Sequence, residues 1–143
     1  MSLSNNYFHY WVDSKKDEEI KKFQECIDSY IYFKKDSMVI TNKLIRENRN
    51  FQAPKLLKTF LLLFSRDINK LTLAKDTIKS ISVDNINNHF HKYLEVAKLW
   101  INNDLKNLLN KLELIIKENP KDIFAIRLFH FNNIFLGIDG KFL

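Results

Sequence analysis

Apolar side chains recur every three or four positions along most of this chain, and short polar breaks interrupt the rhythm at intervals of ten to sixteen residues. That period places the apolar set on one face of a helix, whereas a half-buried strand would alternate every second residue. After an aromatic opening (Tyr7, Phe8, Tyr10, Trp11), Ser14 with Asp17 resembles a capping box, and Ile20, Phe23, Ile27, Tyr30 and Ile31 then mark a first helix. Asp36 and Ser37 are placed to cap a second, which carries Val39, Ile40 and Leu44 and stops in the polar run Arg46 to Asn50. Pro54 suits the first turn of a third helix with Leu56, Leu57, Phe60, Leu61 and Phe64, because the N–H that proline lacks has no partner in a first turn.

Asp67 separates that element from a fourth helix bearing Ile68, Leu71, Ala74, Ile78 and Ile81, and Ser82 to Asn88 reads as a loop. A fifth helix puts Phe90, Tyr93, Val96, Ala97 and Trp100 on one face. Asp104 is the natural cap of a sixth, whose stripe Leu105, Leu108, Leu109, Leu112, Ile115 and Ile116 is unbroken up to Asn119 and Pro120. Asp122 is positioned to cap a seventh, apolar nearly all round from Ile123 to Leu136, as expected of a helix covered on two sides and ended by Gly137. The pattern therefore predicts an all-α, single-domain stack of antiparallel helix hairpins over about 14–50, 52–82 and 86–119, with an unpaired terminal helix over about 122–137.

Successive hairpins repeat at roughly 34 residues, the period of tetratricopeptide repeats. Phe90 to Asp122 follows that pattern, with a first helix ending in Lys98-Leu99-Trp100, a turn at Asn103-Asp104 and a close at Asn119-Pro120. It departs in placing Asn103 where the repeat prefers Gly and Leu108 where it prefers Ala. The segments Lys55 to Leu63, Leu99 to Asp104 and Asn119 to Gly137 further resemble the family of tetratricopeptide repeat protein 38. The third segment is the most specific, with Pro120, Asp122, Ala125, His130, its aromatic residues and Leu136-Gly137, although Asp139 comes one residue late because Ile138 intervenes. The resemblance implies an α-solenoid-like fold that binds protein or peptide in a concave surface, and it implies no established reaction. It also implies a chain that stops short of the family's later helices. In that case the terminal helix keeps an uncovered apolar face through which two copies associate.

Composition narrows the alternatives. The 143 residues are 45% hydrophobic and 13% aromatic, enough to fill one core. Only two glycines occur, Gly137 and Gly140, so Gly-rich phosphate loops and the nucleophile elbow have nothing to be built from. The lone Cys26 excludes an internal disulfide and fits a reducing compartment. Met1 to Asn6 lacks the apolar stretch of a secretory signal, and no apolar run approaches the roughly 20 residues of a membrane span, so a cytoplasmic protein without a membrane partner is expected. The net charge of +6 invites a nucleic-acid reading, but it is spread over scattered lysines, with arginine only at Arg46, Arg49, Arg66 and Arg127.

Four histidines supply what metal or acid–base chemistry there is. His89 and His91 lie two apart on a helix, pointing in nearly opposite directions, so no metal site or cofactor is expected. Cys26 is read as a structural thiol without a catalytic partner. His130 inside the apolar seventh helix is the single residue most open to a function, its blander reading being a buried histidine bonded to a neighbouring helix. The candidate binding residues are thus His130, Trp100, Tyr93 and Arg127 on a non-enzymatic scaffold for protein or peptide. A small-ligand or nucleic-acid module using the basic surface is the alternative, and an unrecognised enzyme stands behind both.

Overall fold

The computed structural model describes residues 11–31 and 36–138, with side chains as far as Ile134. Tyr7, Phe8, His9, Tyr10, Asp139 and Gly140, and the side chains of Phe135 and Leu136, lie outside the described residues. The protein is all-α, with helices α1 (Asp17–Ile31), α2 (Ser37–Glu47), α3 (Ala53–Phe64), α4 (Ile68–Lys79), α5 (Asn88–Ile101), α6 (Leu105–Glu118) and α7 (Ile123–Ile138), and no strand occurs among the described residues. The apolar stripes of α5 and α6 are buried as their spacing predicts, Ile116 only in part. On α2 the buried residues are Thr41 and Leu44, while Val39 is 67% exposed. Helix α7 passes through Gly137 to Ile138 instead of ending at the glycine.

Three of the predicted caps form. Asp67 accepts from the N–H of Asn69, Asp104 from Asn107 and Asp122 from Ala125, each meeting one of the orphan donors of a first helical turn. Asn87 caps α5 through the N–H of Phe90, inside what the sequence reads as a plain loop. Two predicted caps are replaced. Ser14 donates to Glu19 instead of forming a box with Asp17, and Asp36 accepts from the Ser29 hydroxyl across the α1–α2 connection. The α5–α6 turn is a Schellman motif, in which the N–H of Asp104 reaches the Leu99 carbonyl and that of Asn103 the Trp100 carbonyl. Asn103 takes φ 58°, the left-handed conformation for which the repeat consensus uses glycine.

Each helix packs on the next, and α1 also touches α3 and α3 touches α5, so the odd-numbered helices form an inner row. Helix α4 is the most peripheral, burying only Ala74. Helix α7 packs along α6 and turns Phe124, Ala125, Leu128 and Asn132 into the molecule. From there it crosses the inner row: Phe124 meets Tyr30 of α1, Phe131 meets Phe64 of α3 and Trp100 of α5, and the Arg127 guanidinium donates to the Ile31 carbonyl at 2.9 Å. The terminal helix is therefore tied to the first, a closing contact that hairpins touching only their neighbours do not require. Among the described residues its outward edge carries Ile123, His130, Asn133 and Ile134.

Candidate functional site

The inner row of helices converges on one aromatic centre. Helix α1 brings Phe23, α3 brings Phe60, α5 brings Tyr93 and α7 brings Phe124, all essentially without solvent exposure. The ring at the middle belongs to none of them. Trp11, from the segment preceding α1, lies stacked on Tyr93 at 5.1 Å, edge-on to Phe23 at 5.3 Å and to Phe60 at 6.1 Å, and tilted against Phe124 at 5.5 Å. These separations are those of favourable offset and edge-to-face pairs, each adding about 0.5–1.5 kcal/mol beyond the area buried. The indole Nε1 is buried and meets no hydrogen-bond acceptor among the described residues.

Two residues on, the same segment makes its polar anchor. Asp13 accepts from the backbone N–H of Gln52 at 2.8 Å and of Ala53 at 2.9 Å, at the N-terminus of α3. That helix has no side-chain cap of its own: Gln52 stands at the cap position in a helical conformation, and Pro54 follows in the first turn. A carboxylate there meets both free N–H groups and the positive end of the helix dipole. Burial pushes the Asp13 carboxyl above its ordinary value of 3.8, the two backbone N–H bonds oppose that rise, and the charge of Glu19 adds to it. Gln52 extends the network by accepting from the N–H of Ser82 and donating to the carbonyls of Arg49 and Asn50. Beside the carboxylate lies a cavity of about 300 Å³ lined by Asn50, Gln52, Ser82, Asn85 and Ile86 as well as Asp13.

The residues singled out from sequence fall into three environments. Tyr93 and Trp100 are each 1% exposed, so they build the core and do not line an accessible groove. The Tyr93 hydroxyl donates to Asp122, which also accepts from the N–H of Ala125. Burial raises both groups above their ordinary ranges, the Asp122 charge raises Tyr93 further, and the hydrogen bond from Tyr93 opposes the rise on Asp122. Arg127 is half-buried and serves the closure onto α1, where its charge opposes the burial that pushes Tyr30 up to about 12. His130 is exposed, with Phe129 edge-on at 6.0 Å, in place of the buried histidine the apolar helix suggested: its position in the turn points outward between Ile123 and Ile134.

Cys26 is fully buried beside Thr41, and burial pushes its thiol up to about 11, which removes the thiolate that nucleophilic chemistry needs at neutral pH. No group of three His, Cys, Asp or Glu side chains could hold a metal ion among the described residues. Nor is any helix there long and apolar enough to cross a membrane. A surface cleft of about 310 Å³ between α5 and α6 is lined by Leu99 and Leu114 and bridged by the Lys111–Glu95 ion pair at 2.9 Å. The sequence marks Trp11 only as one of the opening aromatic residues and does not single out Asp13; the one local signal is the α3 start, where Gln-Ala-Pro offers no Ser, Thr, Asn or Asp to cap the helix. Comparison of the chain with protein-family models, curated proteins and solved structures gives no match.

Proposed function

We propose that the protein is a tetratricopeptide-like helical scaffold that binds protein or peptide, in the manner of the family of tetratricopeptide repeat protein 38 that its segments resemble. The observation that carries this reading is the non-helical segment 12–16 and the Trp11 before it, held by the inner helices through one buried ring and one capped carboxylate. Recognition of an extended peptide by pockets for spaced side chains together with backbone donors uses the same physics. The Schellman turn at Asn103 and the capped start of α6 at Asp104 support the repeat character of 90–122. No reaction or cofactor is assigned. A cytoplasmic setting, where Cys26 stays reduced, belongs to the same proposal.

Panning a random peptide library on the immobilised chain tests the reading, followed by NMR mapping of the winners onto 15N-labelled protein. Enrichment of a consensus peptide that shifts a contiguous set of amides supports a binding module. A library that yields no consensus, together with retention of the chain on an oligonucleotide column at physiological salt, overturns it in favour of a basic nucleic-acid module.

A further inference from the structure

We propose that Trp11-Val12-Asp13 is an internal ligand, occupying in cis a docking site that takes, in trans, a peptide with an aromatic residue two positions ahead of an acidic one. The inference rests on the peptide-binding reading and specifies its site and its ligand chemistry. The arm is held as a ligand is held, by anchors at its two ends. Its ring enters a box to which each of the four inner helices contributes one aromatic side chain, and its carboxylate ends on the two free N–H groups of Gln52 and Ala53. Between them, Val12 is buried and contributes aliphatic area.

Three observations mark this as a site and not only as core. Helices α2 and α3 lack a side-chain cap of their own, whereas α4, α5, α6 and α7 are capped by Asp67, Asn87, Asp104 and Asp122, each directly before its helix; α3 is instead capped by a carboxylate brought from 39 or 40 residues away. The buried Trp11 Nε1 meets no acceptor among the described residues, so the four rings of the box recognise the indole by its aromatic faces and edges, and phenylalanine, which carries no polar handle, suits the same box. The cavity of about 300 Å³ beside Asp13 leaves the acidic end loosely packed, with room for the longer side chain of glutamate. The connection to α1 is short and irregular, closed by the Ser14–Glu19 bond at 2.6 Å.

A tethered arm competes with a free peptide at an effective concentration on the order of millimolar, so a micromolar peptide gains access only when the cis contact is weakened. Asp13→Ala in the full chain weakens it without touching the box. The probe is a fluorescein-labelled peptide covering residues 7–16, read by anisotropy. We expect the variant to bind it about tenfold more tightly than the wild-type chain, the scale of one lost helix cap, and versions of the peptide carrying Trp11→Ala or Asp13→Ala to lose that binding. A variant that keeps its helical circular dichroism but binds no more tightly than wild type overturns the proposal.

Should Asp13→Ala lose helix content, the wild-type chain with 5-fluorotryptophan is titrated with unlabelled peptide to millimolar concentration. Displacement of the Trp11 fluorine resonance supports exchange, and an unmoved resonance overturns it. Library peptides that bind but shift no amide near Gln52, Ala53 or the aromatic box sink this inference while leaving the binding-module reading intact.

Discussion

Trp11 concentrates the consequences of the fold in one side chain. Its ring touches Phe23, Phe60, Tyr93 and Phe124, so truncation opens a void that four separate helices would have to collapse to fill. Trp11→Ala is expected to lower the unfolding free energy by about 3–5 kcal/mol, a large share of the total stability of an ordinary domain. Trp11→Phe is expected to cost less than half of that, because the indole N–H it removes meets no acceptor among the described residues. Urea denaturation followed by far-ultraviolet circular dichroism measures both, and equal losses in the two variants would mean that the N–H is bonded after all. The aromatic character of the opening was legible in the sequence, but its destination was not. Helical spacing ties a residue to neighbours three and four positions away, whereas Trp11 and Asp13 act across separations from Phe23 to Phe124, at which periodicity carries no information. Tyr93 and Trp100 lie at helical spacing on an apolar face, where a ring is more often core than groove, and both are core.

At the scale of single elements, most helices were legible because caps and stripes agreed: Asp67, Asp104 and Asp122 each stand one position ahead of an apolar repeat and bond the first turn that follows. The α5–α6 turn gives a sharp test of that local chemistry. Asn103 sits at φ 58°, where a Cβ-bearing residue without a local polar group is strained, so Asn103→Ala should cost about 1 kcal/mol and Asn103→Gly should be neutral or slightly stabilising in the same urea experiment. Equal costs for Ala and Gly would show that the asparagine amide, and not the backbone, holds the turn. The cap of α7 adds a pH dependence. Burial holds the Asp122 carboxyl above its ordinary 3.8 in the folded protein, so the folded state binds the proton more readily than the unfolded one. Its contribution is fully present below the unfolded value and is lost as pH rises through the raised folded value. The stability of wild type minus that of Asp122→Asn should therefore grow as pH falls from 7 towards 4, since asparagine does not titrate. A difference that shrinks over that window would place the folded carboxyl below its ordinary value.

On the scale of the whole molecule, the all-α class and the seven helices followed from the sequence, while the closure of α7 onto α1 did not, because it rests on Arg127 reaching a backbone carbonyl whose position no pattern encodes. Closure divides α7 into an inner face spent on the aromatic centre and an outer edge. On that edge Ile123 is 43% and Ile134 59% exposed, three helical turns apart on one face with His130 between them. Exposed aliphatic side chains aligned in this way favour contact with a second apolar surface, and in a C2 pair the same edge would meet itself. Opposing this is the net charge of +6 on each copy, whose repulsion is screened over roughly 8 Å at physiological salt. Association driven by α7 should then tighten when salt is raised, whereas association through ion pairs between copies would loosen. We expect sedimentation velocity to show a concentration-dependent dimer that strengthens between 50 and 500 mM salt, and the double variant Ile123→Lys, Ile134→Lys to stay monomeric with unchanged helix content, because both side chains already face solvent. A wild-type chain that remains monomeric at about 100 μM in high salt would assign the outer edge of α7 to solvent, since an association of about 5.5 kcal/mol or more would already be visible at that concentration.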